Sequence, residues 1–191
     1  MRICYIILLL MAGCASISLK EADEEIIVWQ KNHRLTWDDY KGKQQHRFAA
    51  ASTVYSMYRH IYKDSSQHLY ASVKALFYPQ DSWRNKHWVD DALLAHEQRH
   101  FDIVELYARK LRKQLSTLRV INEEDAQQKL DSLHTIIDTE MDAYQDKYDE
   151  ETNYSMAHDE QQSWIHKIDQ AITDLDAYQS TEVKLKVKTV F

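Results

Sequence analysis

The sequence predicts an α+β domain in which a small antiparallel sheet packs beside three helices. Three observations carry that prediction. Between residues 50 and 78, and again from 182 to 191, apolar and polar side chains alternate with the period of two that half-buried strands show. Three further stretches, near 90–118, 125–149 and 159–178, repeat their apolar residues at three- and four-residue steps, which is helical spacing. The chain also holds only two glycines and one proline in 191 residues, so long elements meet few breakers. At that length, and with 44% hydrophobic residues, one domain with a substantial core is expected.

Residues 1–14 read as a bacterial leader. Arg2 gives the positive start, Ile6 to Met11 form a short apolar run, and Met11-Ala12-Gly13-Cys14 resembles a lipobox. The resemblance implies cleavage before Cys14, lipidation of Cys14 and attachment to a membrane of the cell envelope through that lipid; an ordinary secretory leader is the alternative. The apolar run is too short to span a bilayer as a structural helix. Cys4 leaves with the leader, so no disulfide is expected in the mature chain. Residues 15–25 form a polar, acidic tether, and 26–191 form the folded domain.

Within that domain Ile26 to Trp29 is a short strand, and Trp37 is a core anchor. Ala50 to Tyr62 and His68 to Tyr78 pair as a hairpin across the turn Lys63-Asp64-Ser65-Ser66. Leu69, Ala71, Val73, Ala75 and Phe77 share one face, and Pro79 ends the second strand. A loop with Trp83 and Trp88 leads to Asp90 and Asp91, good N-cap residues for the first helix. The second helix buries Ala126, Leu130, Leu133, Ile137, Met141, Tyr144 and Tyr148. The third buries Trp164, Ile168, Ile172 and Leu175. Residues 182–191 return as an edge strand beside the hairpin.

The first helix carries the chemistry. His96, Glu97 and His100 spell H-E-x-x-H. Four residues on a helix return to the same face, so both imidazoles can hold one Zn²⁺, with Glu97 beside them to take a proton from water activated by the metal. From a composition with ten His, roughly 0.03 chance matches are expected. Both histidines fall within the buried stripe that includes Leu93, Val104, Tyr107, Leu111 and Leu115, where their nitrogens need partners. Asp102 and Glu105 point away from that face and are expected to make contacts with a second helix or the surface. The net charge of −6 argues against nucleic acid as a partner.

Four blocks together resemble one family: Leu35-Thr36-Trp37-Asp38-Asp39-Tyr40-Lys41-Gly42, Ser82-Trp83, the run from Leu94 to Ile103, and Tyr148-Asp149-Glu150-Glu151-Thr152. They are similar to uncharacterised bacterial proteins described as secreted zinc-dependent proteases, within the zincin superfamily. The resemblance spans about residues 26–178. It implies a zincin-like fold and an envelope-attached zinc hydrolase, most concretely a metallopeptidase acting on a peptide or protein substrate. Many members carry His where this chain has Tyr154. A non-catalytic binding or assembly lipoprotein that keeps the fold is the alternative.

A catalytic zinc usually has three protein ligands and one open position. Superfamily precedent, with its place on the inward stripe of the second helix, makes Glu140 the expected third ligand after His96 and His100. Asp149 and His158 are the other candidates, and His134 reads as a surface residue. Tyr148 or Tyr154 would be the oxyanion donor, with core packing the plainer role for Tyr148.

Overall fold

The computed structural model describes residues 25–46 and 49–188. The leader with Cys14, nearly all of the tether, and residues 189–191 of the expected final strand lie outside the described residues. No described helix is long and apolar enough to cross a membrane.

The hairpin forms where alternation predicts it. Strands β3 (Tyr55–Lys63) and β4 (Leu69–Phe77) pair antiparallel from Tyr55↔Phe77 to Lys63↔Leu69. Their turn is closed by the Asp64 carboxylate, which accepts the backbone N–H groups of Ser66 and His68 at 2.9 and 2.8 Å. Met57, Ile61, Leu69, Ala71, Val73, Ala75 and Phe77 are buried on the inner face, as a period of two requires. Strand β1 (Ile27–Val28) covers one end of the far edge of β4 and β7 (Glu182–Lys184) covers the other, both antiparallel. Strand β3 is therefore an edge of this sheet. A short antiparallel pair, β2 (Ala51–Ser52) with β5 (Trp83–Arg84), continues beyond it.

The alternation of 182–191 does not make one strand. After β7, Leu185 turns inward, 4% exposed, and β8 (Lys186–Val187) pairs in parallel with β6 (Arg119–Val120). The chain changes partners because Leu185 caps the core. Its N–H donates to the Leu69 carbonyl, while Lys188 donates to Val120.

Helix α1 (Asp91–Thr117) runs through the middle of the domain. The Asp90 side chain caps it by accepting the Leu93 N–H at 2.8 Å, a contact worth about 1 kcal/mol. Every residue from Phe101 to Arg109 is buried, polar ones included. Three neighbours explain this: the inner face of the hairpin, α2 (Glu123–Glu151) and α3 (His158–Asp174). Gln145 meets His100 and Asp149 meets His96, so α2 runs antiparallel to α1. Gln161 meets Ala92 and Asp169 meets Arg99, so α3 runs in the same direction as α1. The third helical stretch is shorter than its periodicity suggests; a 3-10 turn at Asp176–Tyr178 follows it.

Ahead of the hairpin, a 3-10 turn at Trp37–Asp39 leads into Tyr40. The segment is pinned to the 79–82 loop through Lys41 N–H to Pro79 and Gly42 N–H to Ser82, at 2.9 and 2.8 Å. A Cβ on Gly42 would lie 2.7 Å from the carbonyl oxygens of both Gln80 and Ser82, so only glycine fits this close approach.

Candidate metal centre

His96 and His100 stand one turn apart on α1, with ring centroids 4.8 Å apart and planes at 83°. Their orientation is set from behind. The Gln145 amide donates to the His100 carbonyl at 3.0 Å, which turns its Oε1 toward His100 Nδ1, 2.7 Å away. His100 Nδ1–H is therefore the donor. The Thr152 hydroxyl gives its proton to the Tyr148 carbonyl at 2.7 Å, so it accepts from His96 Nδ1–H at 3.4 Å, a weaker contact. The Tyr148 ring, 0% exposed, stacks on His96 at 4.6 Å and fills the space behind both imidazoles. With both Nδ1 atoms engaged as donors, the two Nε2 atoms remain to act as ligands.

Both Nε2 atoms point at Asp149 on α2. They lie 3.2 Å from each other, and 3.1 and 3.0 Å from Asp149 Oδ1. This near-equilateral triangle has the ligand–ligand edges of a tetrahedral site with bonds of about 1.9 Å, close to zinc's roughly 2.0–2.2 Å to N and O donors. Among the described residues, these three form the group able to hold a metal ion. Charge points the same way. No Lys or Arg of the described residues pairs with Asp149 or with Glu97, which is itself 7% exposed. One carboxylate and two imidazoles thus converge without an arginine or lysine among the described residues, and a divalent ion fits both the charge and the donor set.

Protons serve the same atoms in the absence of a metal. Burial opposes charge on His100, but the hydrogen bond and the charge of Asp149 outweigh it and push its pKa up to about 9. Burial likewise opposes the Asp149 carboxylate, and the hydrogen bonds from His100 and His96 still hold it well below the usual carboxylate range. A metal held there would compete with protons for one set of lone pairs.

Glu97 faces the hairpin side, where its Oε2 accepts a short hydrogen bond from the Thr53 hydroxyl. Thr53 in turn lies 2.8 Å from the Tyr40 hydroxyl. No pattern in the sequence marks Thr53, which comes to Glu97 only through the long-range packing of the hairpin on α1.

Glu140 does not join the histidines. It is exposed on α2, where its charge bears on Lys110 and Tyr107. Nine residues of helix place Glu140 and Asp149 about 180° apart around α2, one on each margin of the buried stripe. His158 is exposed at the start of α3. Tyr154 is 64% exposed within Asn153-Tyr154-Ser155, three successive left-handed residues with φ of 47°, 53° and 77°. Asp102 and Glu105 do turn away from the metal side, as expected, but they are buried at 0% and 3% rather than on the surface.

The molecule is thus an α+β domain of three helices and small antiparallel sheets, with a His-His-Asp group between its first two helices able to hold a metal. The chain belongs to the family described as a bacterial protein of unknown function (DUF922), matched over residues 32–159. No curated protein and no solved structure matches it.

Proposed function

We propose that this protein is a zinc-dependent hydrolase of zincin type, and most concretely a metallopeptidase. His96, His100 and Asp149 would hold the ion, and Glu97 is the general base. The observation that carries this reading is the triangle of His96 Nε2, His100 Nε2 and Asp149 Oδ1 with sides of 3.0–3.2 Å, next to a carboxylate that is no part of it. A purely structural zinc commonly has four protein ligands, whereas three leave a position for substrate or water. When bound, zinc supplies Lewis-acid activation of water and of a carbonyl oxygen.

The chain's own residues do the rest. Gln145 and Thr152 fix the imidazole tautomers, Tyr148 holds the rings in place, and Glu97 takes a proton and passes it to the leaving amine. A peptide is the substrate class favoured by the sheet. Thr53 lies on the stretch joining β2 to the edge strand β3, so an extended chain lying along that stretch passes beside Glu97. An envelope location through lipidated Cys14 belongs to the same proposal and rests on the leader sequence; loss of fatty-acid label in Cys14→Ser tests it.

The central test is metal analysis of the purified chain followed by assay of Glu97→Gln on unstructured protein substrates. About one zinc per chain is expected in both forms, with turnover lower in Glu97→Gln by about 10²–10⁴-fold. An intact protein that binds no zinc sinks the proposal.

A further inference from the structure

Glu97 does not stand alone beside the two histidines. Its Oε2 takes the Thr53 hydroxyl proton, and Tyr40 stands behind Thr53 at 2.8 Å. The direction of this chain follows from its end. An ionised carboxylate only accepts, so Thr53 gives its single proton to Glu97 and must accept from Tyr40. Tyr40 suits that duty, since burial, and after it the charge of Glu97, push its phenol far above the ordinary range and keep the proton on it. Its ring is 5% exposed and packs edge-on against Phe77 at 5.3 Å, which leaves the hydroxyl little freedom. Among the described residues, no hydrogen bond reaches the other carboxylate oxygen, Oε1.

We propose that Thr53, backed by Tyr40, is a positioning residue that holds Glu97 by one oxygen and so aims the other at whatever occupies the open position beside His96 and His100. The inference rests on the zinc-hydrolase reading and adds to it. Thr53 sits where β2 leads into the edge strand β3, so a substrate lying along that edge passes the residue that aims the base. Substrate alignment and orientation of Glu97 are then one mechanical unit, built from the hairpin side and not from α1.

The test uses the full chain loaded with cobalt(II), titrated with acetohydroxamate and read by visible absorption. Acetohydroxamate chelates through two oxygens and places its own proton against a neighbouring acceptor, here Glu97. Thr53→Val should take up cobalt with the wild-type spectrum but bind acetohydroxamate about tenfold more weakly, as for one charge-assisted hydrogen bond, while Thr53→Ser stays within about threefold of wild type. Tyr40→Phe, which removes only the outer hydroxyl, should fall between them and stands in if Thr53→Val does not fold. In a Glu97→Gln background Thr53→Val should add nothing, because no carboxylate is left to aim. Wild-type affinity in Thr53→Val, or the same loss in both backgrounds, overturns the inference alone. A chain that takes up no cobalt, or that ignores acetohydroxamate once loaded, overturns the zinc-hydrolase reading and this inference with it.

Discussion

Helix α1 carries two buried polar clusters, and they are built on opposite plans. On the side facing α3 and the segment that follows β1, Asp102 accepts from Trp29, Arg34 and Gln98 at 2.7–2.9 Å and forms an ion pair with Arg99 at 2.9 Å. Glu105 binds Arg109 and Arg112 at 2.8 and 2.6 Å, and those arginines go on to Asp176 and to the carbonyls of Ile172, Tyr178 and Gln179. Each acid there has an arginine, and the Nε atoms of Arg99 and Arg112 are the exceptions left without a partner. On the side facing α2, no arginine or lysine of the described residues pairs with Asp149, and the hydrogen bonds that do form hold ring nitrogens in one direction. The first cluster closes upon itself and locks α3 and the 3-10 turn that follows it onto α1. The second is ordered but left short of positive charge. A buried charge set that satisfies itself is architecture, whereas one that converges on a point is a candidate binding site.

The contrast can be broken where its effects are largest. Removing a ligand from the converging cluster, by His96→Ala, His100→Ala or Asp149→Ala, should weaken zinc binding beyond the roughly 100-fold seen for residues that only support ligands. Glu140→Ala and His158→Ala should leave it unchanged. Isothermal titration with competing chelators measures both arms, and a loss confined to Glu140→Ala would reassign the site. On the closed side Glu105→Ala leaves Arg112 with no carboxylate and Arg109 with Asp176 alone, and should destabilise the fold by about 3–5 kcal/mol. Urea unfolding would read that, with zinc stoichiometry of the folded fraction preserved. The smallest effect sharpens the boundary between the two clusters. Gln145→Ala removes only the support behind His100 and should lower zinc affinity by about 10–100-fold with little change in the unfolding midpoint of the metal-free chain.

Much of this arrangement was legible in the sequence because period and face are local properties. The alternation of Leu69, Ala71, Val73, Ala75 and Phe77 and the stripes of the three helices needed no tertiary information, and all five β4 residues are buried as expected. The third member of the group able to hold a metal was not legible in the same way. Glu140 and Asp149 border the same stripe on opposite margins, and only the tilt of α2 against α1 decides which margin meets the histidines. A hairpin folded symmetrically about the 118–122 connection would set Glu140 across from His100. The actual register brings Gln145 there instead, five residues further on. Glu105, Arg109 and Arg112 illustrate a signal that was available. Their spacing of four and seven puts one acid and two bases on a single helical face. The final alternating stretch splits between two partners, because alternation reports which side a residue faces, not which neighbour it pairs with.

Gly42 has a consequence for inheritance. It lies more than fifty positions from the histidines and touches none of them, yet it lets the chain cross the 79–82 loop closely enough to deliver Tyr40 to Thr53. Any other residue drives a carbon into two backbone carbonyls, and neither can retreat without shifting the loop that leads into β5. Under random mutagenesis this position is expected to tolerate no replacement. A genetic screen for lost folding would therefore place a spacer with no side chain among its strongest hits, and the map of intolerance would trace the route by which the hairpin reaches Glu97.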